Sequence, residues 1–112
     1  MSTSGLPIPL PVGFSLADRY VIEATLSVSE TGTAYRARDT ALGEPVAIFV
    51  LAPAFCTHQG RGQFRWHFKS AFYSERGSVL EYGIALGTDY AVLRIDSVGP
   101  FVDGFQPSLG ER

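Results

Sequence analysis

A chain of 112 residues, 46% of them hydrophobic and 18% charged, carries enough apolar material for one core and too much to be disordered. Its net charge of −2, with acids and bases interspersed, excludes the basic footprint of a nucleic-acid binder and a polybasic membrane patch. One cysteine, Cys56, permits no internal disulfide; the opening Met-Ser-Thr-Ser-Gly has no signal-peptide blocks, and no apolar run reaches the roughly 18 residues of a membrane span, so a cytoplasmic protein without membrane insertion is expected.

Three parts are expected in chain order: an extended arm over residues 1–15, one domain over 16–96 and an irregular tail over 97–112. Prolines at Pro7, Pro9 and Pro11 forbid helix in the arm, which reads as a pinned tail, with Ile8 and Leu10 lying along another chain as the alternative. Tyr20-Val21-Ile22 with Leu26, then Ala34-Tyr35 with Ala37, read as two strands of a hairpin joined by a polar loop over 27–32. A turn at 39–44 leads into Val46-Ala47-Ile48-Phe49-Val50-Leu51, an apolar run without alternation, which calls for a central strand covered on both faces. Pro53 ends it, and 57–62 reads as loop. Residues 63–76 read as the one helix: Phe64, Phe68, Ala71 and Phe72 share a face, Trp66 and Tyr73 lie on the opposite one, and Gly77 stops it. Residues 79–84 and 90–95 flank a short turn at 86–89 as a last hairpin. The tail offers Phe101, Val102 and Phe105 as hydrophobic contacts.

Chemistry-bearing constellations are scarce. Cys56, His58 and His67 do not fall at a recurring zinc spacing, and no second ligand pair follows. No G-x-S-x-G elbow is present, and Glu75 and Glu81 read as solvated surface. Arg61, Arg65, Lys69 and Arg76 make the helix region locally basic. No catalytic, metal-binding or cofactor-binding residue is expected.

Arg19-Tyr20-x-Ile22, Leu26, Tyr35-Arg36-Ala37-Arg38-Asp39, Leu42-Gly43, Val46-Ala47-Ile48-x-Val50-Leu51, Phe64 and Tyr90-x-Val92-Leu93 occur in this order. The set resembles the N-terminal lobe of bacterial eukaryotic-like Ser/Thr protein kinases, over residues 16–96. The resemblance implies an α+β fold: a five-stranded antiparallel sheet with one long helix packed on it.

The same resemblance locates what this chain lacks. Of the family's glycine-rich loop, whose backbone N–H groups cradle phosphates, only Gly32 remains, the earlier glycine positions falling on Ser27 and Ser29 beside Glu30. The phosphate-holding lysine position is Phe49, its glutamate partner on the helix is His67, and the hinge glutamate is Arg94. No H-R-D-x-x-x-x-N, D-F-G or A-P-E stretch is present. A degenerate, pseudokinase-like interaction or regulatory module without enzyme activity is therefore expected, self-associating as a homodimer or docking a protein partner. Leu26, Ala47, Phe49, Trp66, His67, Tyr73 and Leu93 are the residues expected to form its docking surface, the sheet members on an open cleft face together with Ala34. The competing expectation is a non-hydrolysing nucleotide or small-ligand sensor with Phe49 stacking on a base; a third is a monomer whose tail folds over the sheet.

Overall fold

The apolar run at 46–51 lies in the interior of an antiparallel sheet, in a computed structural model that describes residues 9–74, 79–85 and 87–96, with 71–74 traced through their backbone. The strands are β1 (Ser15–Leu16), β2 (Tyr20–Val28), β3 (Gly32–Asp39), β4 (Glu44–Leu51), β5 (Val79–Ala85) and β6 (Thr88–Arg94); a 3-10 turn at Pro53–Phe55 and helix α1 (His58–Ser74) separate β4 from β5. Sheet order is β1-β2-β3-β4-β6-β5, every neighbour antiparallel. The five expected strands and the one helix are all present, and β1 adds a two-residue sixth strand beside Tyr20 and Val21.

Strand alternation divides β4 between two cores. Ala47, Phe49 and Leu51 face the side on which α1 packs, with Phe64, Phe68, Val79, Ala91 and Leu93. Val46, Ile48 and Val50 face the inside of the curled sheet, with Ile22, Tyr35, Ala37 and Val92. All six are buried, so the strand needs apolar side chains at every position, and that is why its sequence does not alternate.

The second core is closed by the arm and by a polar clasp. Leu10 is buried there, its backbone N–H donates to Tyr35 Oη at 3.0 Å, and Leu16 and Phe14 pack alongside. The end of the arm is thus pinned on its own chain; Ile8 lies outside the described residues. The Tyr20 hydroxyl, on β2, donates to the Glu81 carboxylate, on β5, joining opposite ends of the sheet across its curl. Burial, ahead of that hydrogen bond, pushes the Tyr20 phenol well above its ordinary range.

Two elements depart from the sequence expectations. Helix α1 begins at His58, five residues before the expected start, because Thr57 caps it: Thr57 Oγ1 accepts the Gly60 N–H at 3.0 Å. The β2–β3 loop is shorter than 27–32, since β2 runs to Val28 and β3 starts at Gly32. Ser29 closes it, its N–H and its hydroxyl both donating to Gly32 O, at 2.9 and 3.0 Å. Residues 75–78, including the expected stop at Gly77, and the tail lie outside the described residues, as do the side chains of Ala71, Phe72 and Tyr73.

Candidate functional site

The surface where the resemblance puts nucleotide phosphates is built from the β2–β3 hairpin, β4 and α1. Gly32 opens β3 opposite Leu51, and the neighbouring pair is Thr33 with Val50. A side chain at Gly32 has no room: a Cβ there would stand 2.6 and 2.8 Å from Phe49 ring carbons and would run into the Val50 carbonyl. The glycine at the position the resemblance gives to a phosphate loop is therefore required by close approach of an aromatic ring.

Phe49 fills this corner. Its ring stacks on Phe64 at 6.1 Å between centroids and 13° between planes, and Phe68 stands at 5.9 Å, with Phe64 and Phe68 themselves 4.7 Å apart. It has 0% of its surface exposed, as do Ala47 and Leu93, while Ala34 keeps 1%. Phe64 and Phe68 sit one helical turn apart, so the aromatic face of α1 lies over the ring on β4. The expectation that Ala34, Ala47, Phe49 and Leu93 form an open docking face is corrected: the large ring at 49 draws the helix face onto the sheet and the four join the core. Burial here offers an attacking or phosphate-holding group neither charge nor water access.

The hairpin above this corner is equally committed. The Ser29 N–H is bonded to Gly32 O, and Thr31 O accepts the Ala52 N–H at 2.8 Å, continuing the ladder past the end of β4. The Ser29 backbone donor, which a glycine loop would turn toward phosphate, is used within the fold, and exposed Glu30 adds a negative charge at the tip.

Sequence reasoning missed the polar tether between helix and sheet. Asp89, expected in a turn, lies in β6 with its side chain 1% exposed. Arg61 Nε donates to Asp89 Oδ1 at 2.6 Å and Arg65 Nε to Oδ2 at 3.3 Å. Arginines four residues apart on one helix face were the available signal. The helix-to-sheet ion pair that the resemblance places at 49 and 67 is thus absent from those positions, and a charge-inverted arrangement uses helix positions two and six residues nearer the start of the helix. His67 is half-buried and meets Phe68 edge-on at 4.8 Å.

Of the other expected docking residues, Leu26 is 45% and Trp66 74% exposed, the one on β2 and the other on α1. Val28, in the same hairpin as Leu26, is 74% exposed. Arg94 is exposed and pairs with Asp96 at 3.4 Å, on the rim of an open groove of about 360 Å³ that also takes in Pro45 and Leu80. Cys56 and His58 flank the start of α1, nine residues before His67, and the described residues hold no cluster of three metal-ligating side chains. Burial pushes the Cys56 thiol up, away from a reactive thiolate.

No protein-family model matches the chain, and no curated protein sequence matches it. Solved structures do. A crystal structure of the Mycobacterium tuberculosis PknI kinase domain, in a doubly substituted form, superposes at a TM-score of 0.66 and 21% identity, covering 78% of this chain and 36% of that one. A further crystal structure of the PknI kinase domain gives 0.64 and 21%, over 78% and 37%. Another protein kinase domain, only 7% identical, gives 0.64 over 78% and 27%. The chain resembles a kinase N-lobe and spans about a third of the length of the PknI domains it matches.

Proposed function

We propose that this kinase N-lobe-like chain is a non-catalytic, pseudokinase-like interaction module of the cytoplasm, which docks a protein on surface outside the former nucleotide corner. The observation that carries this reading is the ring of Phe49, wedged between Gly32 and two phenylalanines of α1 where the resemblance calls for a lysine. Phosphoryl transfer works by positioning and electrostatic stabilisation of phosphate oxygens. A buried hydrocarbon supplies neither. The same burial speaks against the sensor reading, because a ring with no exposed surface cannot stack on a ligand's base.

Docking then rests on the residues that remain at the surface. Trp66 is a large aromatic of the kind that anchors interfaces, held on a rigid helix. Affinity capture with the wild-type chain and with Trp66→Glu as baits tests this, alongside transfer of radiolabel from ATP to general acceptor proteins. The expected result is a protein retained by wild type, lost with Trp66→Glu at unchanged circular dichroism, and no labelled acceptor. Retention indifferent to Trp66, or a labelled acceptor that disappears on substitution of this chain, contradicts it.

A further inference from the structure

Helix α1 contains two glycines, and among the described residues only one is explained by a close contact. A Cβ at Gly60 would run into the Phe55 carbonyl, whereas one at Gly62 would meet no described residue within 4 Å. Glycine is less favourable than alanine within a helix, so Gly62 weakens α1 without easing any contact with the described residues. What it does is bare the backbone beside Trp66. Residues 62, 66 and 69 recur at spacings of four and three, so the exposed indole of Trp66 and the bare backbone of Gly62 lie on one exposed face of α1.

That face is cationic. Arg65 and Lys69 beside it are exposed, and α1 holds three of the nine basic residues of the chain and none of the eleven acidic ones. Its complement stands on the same molecule: the free end of the β2–β3 hairpin exposes Leu26 and Val28 and carries Glu30, also exposed. One surface is an exposed aromatic with positive flanks; the other is a pair of aliphatic side chains with a negative tip.

We propose that the occupant of the exposed Trp66 face is a second copy of this chain, whose Leu26 and Val28 pack against Trp66 and Gly62 while its Glu30 meets Lys69. Under two-fold symmetry the contact is made twice, hairpin to helix and helix to hairpin. The inference rests on the interaction reading above and names the partner that reading leaves open.

Because Lys69 is the only lysine, carbodiimide coupling, which joins an amine and a carboxylate with loss of water, has one side-chain amine to report on. Light scattering across a concentration series is expected to show the mass rise toward two copies. Coupling of a mixture of isotopically light and heavy chains is expected to give a Glu30–Lys69 amide between copies. Glu30→Lys and Lys69→Glu, both at exposed positions, are each expected to weaken association at least tenfold when alone. Mixed in equal amounts they are expected to reassociate, since both contacts of the mixed pair again join opposite charges. A wild-type chain that stays monomeric at every concentration overturns the proposal, as does a dimer indifferent to both charge reversals. A monomer that still captures a protein through Trp66 separates this failure from failure of the interaction reading.

Discussion

Phe49 is surrounded by groups that only a hydrocarbon ring satisfies, and its replacements test this. Phe49→Ala removes the ring between Gly32, Phe64 and Phe68 and is expected to destabilise the fold by roughly 3–5 kcal/mol, the range for emptying a buried phenylalanine site, measured by urea unfolding. Phe49→Lys would restore the residue type of the resemblance yet bury an ammonium among rings, and is expected to unfold the chain further without conferring ATP binding. A lysine variant as stable as wild type would show that the corner has room and water. Asp39 supplies a pH test. Both its carboxylate oxygens accept N–H groups of Arg19 at 2.8 Å, which holds the carboxyl below its usual range against the opposing effect of burial. A depressed folded value means that this stabilisation is complete above the ordinary Asp value, about 3.9, and is lost as pH falls through the depressed one. Urea midpoints between pH 6 and pH 2 are expected to drop on the acid side of about pH 4, and Asp39→Asn is expected to be weaker at neutral pH with a shallower acid limb. The sequence already marked Phe49 as the departure from pattern. What it did not show was that the ring turns inward, because that depends on Phe64 and Phe68 lying opposite it, a matter of register between distant elements.

At the scale of elements, the strands were readable because each apolar run or alternation maps onto a face, and β4 shows this most plainly. Helix α1 was read too short. Gly60 and Gly62 look like loop, and the better signal was Thr57, whose side chain caps the first turn. The tether to β6 escaped for a related reason: Asp89 beside Gly87 resembles a turn residue until its buried position is known. It is testable. Arg61→Met with Arg65→Met strands a carboxylate that is almost wholly buried, with an expected loss of roughly 3–5 kcal/mol, whereas either single change leaves one arginine in place and costs less. Equal losses for single and double variants in chemical unfolding would mean that the two arginines do not share the aspartate.

At the scale of the molecule, a sheet-and-helix unit resembling part of a kinase domain has both faces of its central strand covered by its own residues. Apolar surface persists instead on the outer side of the helix and at the hairpin tip, and the proposed docking is placed there and not at the kinase-like cleft. That shift was only half legible beforehand: Leu26 and Trp66 remain outside, while Ala47, Phe49 and Leu93 went into the core. The measurement closest to the central claim is the melting temperature of the chain with and without saturating ATP and magnesium. A ligand present at 100 times its dissociation constant adds about 2.7 kcal/mol, or roughly 10 °C for a domain of this size. With Phe49 occupying the phosphate corner the expected shift is nil, and a rise of several degrees that grows with ATP concentration would contradict it.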